Sequence, residues 1–288
     1  MRSVTLPAHA KVNLYLDVLS KRPDGTHELF TLFERVSLHD RLSVEPVPGN
    51  GIELSCDDPR LPTDGSNLVV RAAELYRRRS GWREGIRVQL TKRVPVAAGL
   101  GGGSSDAAAT LLALQELSGG ALPSPELLLC ARELGADVPF FLSGTARAIG
   151  RGRGDEIEPL PPAGPLLWHL LVTPDFPIPT KAVYGGLRLT GPGPDATLLL
   201  RVLKEGPLSS VRDHLFNALE PTVERLYPGI REVKSAIETV GGLAHPRVSG
   251  SGSTVFAVAG SREEAEAAAE KIRRARPGWR LCVASTQR

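Results

Sequence analysis

Residues 93–112 read RVPVAAGLGGGSSDAAATLL. The glycines Gly99, Gly101, Gly102 and Gly103 fall between a segment of alternating polarity and a segment with helical spacing. This arrangement constrains the fold more than any other feature: a strand must end, a loop short of Cβ atoms must follow, and a helix must begin at once. The strand is signalled by Ile86, Val88 and Leu90 alternating with Arg87, Gln89 and Thr91, ending near Pro95. The helix is signalled by Ala107, Leu111 and Leu114, with Ser104 or Ser105 available as its N-cap. Adjacent glycines let an oxygen-rich ligand reach the backbone, and their amides can converge on an anion. The start of the helix adds unpaired N–H groups and the positive end of its dipole. Ala107, Ala108 and Ala109 allow close packing beneath the loop. The common nucleotide P-loop is excluded because no lysine follows Gly103, and the dinucleotide fingerprint because the third spaced glycine is missing. The protein-kinase motif set is absent as well. By its chemistry alone the segment is a cradle for phosphate.

The chain around it has 288 residues, enough for two domains, and 41% hydrophobic with 23% charged residues suits a folded protein. The net charge of +3 is a mild excess. Its densest run, Arg77, Arg78 and Arg79 with Arg83 nearby, has no interleaved aromatic platform and reads as a solvated helix end rather than a nucleic-acid face. Three separated cysteines without a CxxC pair, and scattered histidines without HExxH, argue against a disulfide framework or a zinc site. No apolar run approaches a membrane span, and the N-terminus lacks a signal peptide's apolar core, so a soluble cytoplasmic protein is expected, with no nucleic-acid or membrane partner.

The remaining pattern predicts an α+β fold. Val12, Leu14 and Leu16 alternate as a strand, and Arg22-Pro23-Asp24-Gly25 is turn chemistry. A second helix is expected over residues 124–134, capped by Ser124, with Pro125 first and Gly135 closing it. Dense Gly, Pro and charge between Gly150 and Pro165 suggest a boundary, giving domains 1–157 and 158–288. Beyond it, residues 166–172 read as a buried strand, 210–227 and 229–239 as helices, 254–258 as a strand, 262–276 as a helix and 279–284 as a strand. The last three suit a split, ferredoxin-like layer.

The segment Pro95, Val96, Ala97, Ala98, Gly99, Leu100, Gly101, Gly102, Gly103, Ser104, Ser105 with Asp106-Ala107-Ala108 resembles the ATP motif of the GHMP kinases. Val248-Ser249-Gly250-Ser251-Gly252-Ser253 is similar to that family's third, glycine-rich motif. The resemblance covers essentially the whole chain. It implies an N-terminal α+β domain with a left-handed βαβ unit, a ferredoxin-like C-terminal domain, and a cleft between them where ATP meets its acceptor. Lys11-Val12-Asn13, the stretch from Arg22 to His27, Thr31-Leu32-Phe33 and residues 134–141 are similar to one branch. That branch transfers phosphate from ATP to the 2-hydroxyl of a cytidyl diphosphate-linked methylerythritol, in the non-mevalonate isoprenoid route. Homoserine-type or mevalonate-type GHMP kinases, and a nucleotide-binding regulator without catalysis, are the alternatives.

Carried over residue by residue, the resemblance makes Asp137 the general base and Lys11 its cationic partner. Asn13, His27, Thr180 and Tyr184 become substrate contacts, and residues 95–105 the ATP loop. Taken alone, Lys11 would be an outward, solvated strand residue and Asp137 a turn or cap carboxylate. Thr26 departs from the family, which usually has an aromatic there to stack on cytosine; its loss should weaken substrate binding or shift the burden to Tyr184, Phe30 or Phe33. Mg²⁺ is expected with the nucleotide. No carboxylate pair announces its ligands, and Ser105 and then Asp106 are the candidates. The quaternary state is left as monomer or weak dimer.

Overall fold

The computed structural model describes residues 2–287 apart from 163, 190 and 207. The elements in chain order begin with strands β1 (Val4–Lys21), β2 (His27–Val47) and β3 (Ile52–Cys56), helix α1 (Leu68–Ser80) and β4 (Gly85–Thr91). Helices α2 (Gly102–Leu117), α3 (Ser124–Leu134) and α4 (Val138–Leu142) follow, then β5 (Arg147–Arg151), β6 (Glu156–Pro159) and β7 (Trp168–Thr173). Next come α5 (Thr180–Gly185), α6 (Ala196–Glu205), α7 (Leu208–Asp213), β8 (Phe216–Asn217), α8 (Glu220–Leu226) and α9 (Gly229–Ser235). A π-turn (Ala236–Val240), β9 (Arg247–Val248), β10 (Val255–Ala259), α10 (Arg262–Ala275) and β11 (Arg280–Ser285) complete the chain.

Two compact units emerge, each discontinuous in sequence. The first comprises Met1–Ala10, His39–Val94 and Gly101–Gly144, and the second Lys11–Leu38, Pro95–Leu100 and Thr145–Arg288.

In the first unit β3, α1 and β4 form a βαβ unit whose strands pair directly and in parallel, Ile52 opposite Ile86 and Cys56 opposite Leu90. β4 also pairs antiparallel with the second half of β2, Val44 opposite Val88. The apolar faces of these strands alternate as their sequence requires, with Leu42, Val44, Ile86, Val88 and Leu90 buried. Helices α1 and α2 pack together, with Val69, Ala72, Ala73 and Tyr76 buried on one and Ala107, Ala108, Leu111 and Leu114 buried on the other. The Tyr76 hydroxyl, carried into this layer, donates to Gln115 Oε1 at 2.7 Å. The arginine run forms the last turn of α1, with Arg79 paired to Glu126 and Glu133 at its surface.

In the second unit β7, β9, β10 and β11 make a sheet in the order β11-β7-β10-β9, all antiparallel. With helices between β7 and β9 and between β10 and β11, this is the split βαββαβ layer expected of a ferredoxin-like half. Its core joins Leu170, Val172, Val255 and Ala257 of the sheet to Ile230, Val233, Ala268 and Ile272 of the helices. The first half of β2 pairs with β5, and β5 with β6. Glu34 of β2 is fully buried here. It accepts from Arg147 Nε at 2.6 Å and Thr286 Oγ1 at 2.9 Å, and pairs with His169 Nε2 at 2.6 Å. Burial alone would raise this carboxyl, but His169 and Arg147 outweigh it and hold it below the usual range.

Several local expectations need correction. The N-cap of α2 is Gly101, in the left-handed region at φ 70°, and not Ser104 or Ser105, which lie inside the first turn. A glycine can both turn left-handed and start the helix, so no side-chain cap is used. Helix α3 spans the expected residues, but its N-cap is Pro123, which puts Ser124 first and Pro125 second. Residues 210–227 are not one helix. Phe216 and Asn217 leave it to pair in parallel with Tyr15 and Leu16. Asn217 turns the chain, its Oδ1 accepting from Leu219 N at 2.9 Å, and Pro221 sits in the first turn of α8. The helix expected over 229–239 ends its regular part at Ser235 and unwinds into the π-turn before Gly241 and Gly242.

Candidate active site

The glycine-rich segment is built in two pieces. Its first piece, Pro95–Leu100, belongs to the second unit. Ala98 O accepts from Thr254 N at 3.1 Å, Gly99 O from Ser249 Oγ at 2.9 Å, and Leu100 O from Lys11 N at 3.0 Å. Three consecutive carbonyls are thus pinned by residues from both ends of the chain. Gly99 has φ 75°, and a Cβ there would stand 2.0 Å from Ser249 O. No other residue can occupy the position without moving backbone.

The partner of this piece is the turn between β9 and β10, residues 249–254. Gly252 N donates to Ser249 O at 2.9 Å, and Ser251 Oγ shares a 2.8 Å hydrogen bond with Thr180 Oγ1 at the start of α5. Asn217 Nδ2 donates to Val248 O at 2.7 Å and Gly250 O at 2.8 Å, which carries the turn on β8. A Cβ on Gly250 would lie 3.2 Å from Lys11 Nζ and 3.3 Å from Asn13 Oδ1. The bare backbone of Gly250 therefore packs against the Lys11–Asn13 pair.

Lys11 is not solvated: it is 4% exposed on β1 and donates to Asn13 Oδ1 at 2.5 Å. Residues i and i+2 of a strand share a face, so β1 itself brings the two side chains together. His27, at the start of β2, packs its ring against Tyr184 of α5 with centroids 5.1 Å apart and planes 34° apart. Burial, then Lys21, lower the His27 pKa, which favours the neutral imidazole. Thr26 turns away into the preceding turn, its Oγ1 donating to Asp24 Oδ1 at 2.6 Å. Phe30 carries the Arg151 guanidinium 4.9 Å above its ring and meets Tyr15 edge-on. Phe33 is buried, with Lys11 Nζ 5.7 Å from its ring centroid.

The second piece of the segment belongs to the first unit. Helix α2 begins at Gly102, and its first N–H groups have no intrahelical acceptors. No acidic side chain occupies that first turn, so the dipole is left for an anion. Asp137 is the N-cap residue of α4, half-buried and without a side-chain capping bond. Its loop lies beside α2: a Cβ on Gly135 would be 3.9 Å from Ser104 Oγ. The first unit therefore gathers Gly102 to Ser105 with the Asp137 loop. The second gathers Lys11, Asn13, Pro95–Leu100, Thr180 and residues 249–254, with His27 and Tyr184 as a ring pair.

Beneath the second piece lies a charge cluster that sequence reading missed. Lys92 donates to Asp106 Oδ2 at 2.7 Å and is ion-paired with Asp40, whose other oxygen accepts from Arg93 N and Val94 N. Asp40, Lys92 and Asp106 have almost no side-chain exposure. Burial would lower the Lys92 ammonium, but Asp106 and Asp40 outweigh it and raise its pKa. Burial drives the Asp106 carboxyl up to about 7, a rise that Lys92 opposes and Asp40 reinforces. Its Oδ1 has no hydrogen-bond partner among the described residues. The available signal was Asp106 directly after Ser104-Ser105, a carboxylate within the run of small residues expected to pack inward on the helix.

Residues 67–145 match the family model for the GHMP kinase N-terminal domain, and residues 199–277 that for the C-terminal domain. The chain belongs to the GHMP kinases. It is a kinase, with ATP as the co-substrate that the family implies. Over 273 residues this GHMP kinase is 42% identical to 4-diphosphocytidyl-2-C-methyl-D-erythritol kinase of Pelotomaculum thermopropionicum, covering 94% of each chain. It is similar to the crystal structure of a 4-(cytidine 5'-diphospho)-2C-methyl-D-erythritol kinase at 40% identity and TM-score 0.82, covering 98% of both chains. Homoserine kinase from Cytophaga hutchinsonii matches at 22% identity and TM-score 0.73 over 100% of this chain and 96% of that one, a likeness of fold alone. No helix among the described residues is long and apolar enough to cross a membrane.

Proposed function

We propose that this kinase phosphorylates the 2-hydroxyl of 4-diphosphocytidyl-2-C-methyl-D-erythritol, giving the 2-phosphate and ADP, as a cytoplasmic step of isoprenoid precursor synthesis. The observation that carries the reading is the 42% identity, across nearly the whole length, to a kinase bearing that substrate's name. The packed rings of His27 and Tyr184 support it, since a neutral imidazole and a phenol ring suit an uncharged aromatic base. Asn13 and Thr180 complete the proposed substrate contacts. We also propose the functional division at 157/158; the two matched family segments fall on either side of it.

In the proposed reaction the substrate oxygen bonds to the γ-phosphorus, the bond from that phosphorus to the ADP oxygen breaks, and the hydroxyl proton passes to the Asp137 carboxylate. Phosphoryl transfer asks the protein mainly for positioning and charge stabilisation. Lys11 supplies the positive charge near the acceptor, and free backbone amides within residues 95–105, where Pro95 has none and Ser105 N is bonded to Gly101 O, cradle the phosphates. Mg²⁺ would neutralise phosphate charge. Among the described residues no three His, Cys, Asp or Glu side chains gather to hold a metal by themselves. Ser105 and the unpartnered oxygen of Asp106 are the groups that would hold an ion arriving with the nucleotide.

The test is a turnover assay with ATP–Mg²⁺ and the cytidyl substrate, the new phosphate being located by ³¹P NMR. Phosphate on the 2-hydroxyl is expected. Phosphorylation of homoserine or mevalonate with the cytidyl substrate ignored would overturn the reading. ATP binding without turnover on any of these substrates would favour a regulator instead. Asp137→Ala and Lys11→Ala are each expected to lower kcat by at least a hundredfold, the order that a lost acid–base or electrostatic group costs.

A further inference from the structure

Asn13 sits between Lys11 and a residue given no role so far, Thr31 of β2. Lys11 Nζ donates to Asn13 Oδ1 at 2.5 Å, Asn13 Nδ2 donates to Thr31 Oγ1 at 2.8 Å, and Thr31 Oγ1 donates to Tyr15 O at 2.8 Å. All four residues belong to the second unit, and Lys11, Asn13 and Thr31 are at most 4% exposed.

The direction of each bond follows from proton counting. An ammonium only donates, so it demands the oxygen end of the Asn13 amide. A backbone carbonyl only accepts, so Tyr15 O takes the single hydroxyl proton of Thr31. With that proton spent, Thr31 Oγ1 can only accept, and it demands the nitrogen end of the same amide. Both ends therefore select one of the two amide orientations. The reversed orientation would set an NH₂ group against the Lys11 ammonium inside a buried site, where facing donors are most costly. The bare backbone of Gly250 packs against this same pair, so the ammonium has little room to seek another position. One Asn13 amide hydrogen is spent on Thr31.

We infer that Thr31 is a positioning residue for phosphoryl transfer: its hydroxyl fixes the polarity of the Asn13 amide and thereby the place of the Lys11 ammonium. The inference rests on Lys11 serving the transfer, as proposed above, and adds the group that orients it. Thr31→Val keeps the side-chain shape and removes the hydroxyl, so Asn13 loses its acceptor and Tyr15 O its donor. Thr31→Ser keeps the hydroxyl.

The test is steady-state kinetics of Thr31→Val, Thr31→Ser, Lys11→Ala and the double variant Lys11→Ala/Thr31→Val, with ATP–Mg²⁺ and the cytidyl substrate. Thr31→Val is expected to lower kcat about tenfold or more while KM for ATP changes less than threefold. Thr31→Ser should keep kcat within threefold of the parent. In the Lys11→Ala background, Thr31→Val should cost less than twofold, because a group acting through Lys11 has nothing left to position. Should Thr31→Val fail to fold, Thr31→Ala carries the same expectations. An unchanged kcat in Thr31→Val, a loss in Thr31→Ser equal to that in Thr31→Val, or full multiplicativity in the double variant would each overturn the inference. A Lys11→Ala enzyme with parental turnover would instead overturn the role proposed for Lys11, which separates the two failures.

Discussion

The two pieces of the glycine-rich segment are adjacent in sequence and carry glycine for different reasons. At Gly99 a Cβ would stand 2.0 Å from the backbone oxygen of Ser249. At Gly103 the nearest atom to such a Cβ is Leu68 Cδ1 at 3.6 Å, an ordinary contact. The first piece is a packing solution, locked by residues far away in the chain. The second is a helix start, where small size keeps amides accessible above the buried Asp40–Lys92–Asp106 cluster. One motif thus combines a structural clasp with a proposed ligand surface, and its glycines should respond differently to the same substitution.

The largest effect is expected at Gly99. Gly99→Ala adds both a steric clash and left-handed strain, so stability should fall by at least about 3 kcal/mol and activity should be lost. Urea denaturation and the kinase assay check this; a soluble, active variant with parental stability would mean that the clasp is dispensable. Next comes the charge cluster under the second piece. The Asp106 carboxyl rises from its ordinary 3.8 to about 7. Between those values the folded protein holds a proton that the unfolded chain has lost, so this group's contribution to stability declines as pH rises and levels off above 7. Asp106→Asn lacks that decline. Its stability relative to the parent should improve by at least about 1 kcal/mol from pH 5 to pH 8, roughly one pKa unit's worth. Parallel urea curves for the two proteins across that range would contradict a shifted Asp106.

Gly103→Ala should leave the fold intact and raise stability by up to about 1 kcal/mol, the usual gain for alanine over glycine in a helix. Its cost should show instead as a raised KM for ATP, since the methyl group stands among the amides proposed to meet phosphate. A loss of stability there would erase the contrast with Gly99. The smallest effect belongs to Ala97, which holds φ 53° without being glycine. Relief of left-handed strain and the extra flexibility of glycine oppose each other, so Ala97→Gly should shift stability by no more than about 1 kcal/mol. A larger loss in thermal unfolding would mean that the methyl group of Ala97 packs usefully.

Strand alternation in β1 and β4, the helical spacing after Gly103 and the closing β-α-β pattern were legible because each depends on neighbours within a few residues. Residues 210–227 were misread because apolar spacing there is compatible with a helix, while the break is made by Asn217 bonding to Val248 and Gly250. The Ser104 and Ser105 caps were misplaced because a left-handed glycine can begin a helix without a side-chain acceptor. Lys11 taken alone pointed outward, since a lone charge in a strand is costly to bury. It is buried because Asn13 on the same face and Gly250 from the far end of the chain make room and an acceptor for it.

By itself the sequence determined that residues 95–105 form a glycine-rich loop at a helix start, a place where backbone amides are suited to meet an anion. It also determined, through motifs spread along the chain, a resemblance to the GHMP kinases. Only the tertiary structure decided why Gly99 is glycine, which way the Asn13 amide faces, and that Asp106 shares one lysine with Asp40. Each of these is set by atoms distant in sequence, through steric exclusion, hydrogen-bond polarity and the cost of burying charge. None of those three leaves a local pattern to read.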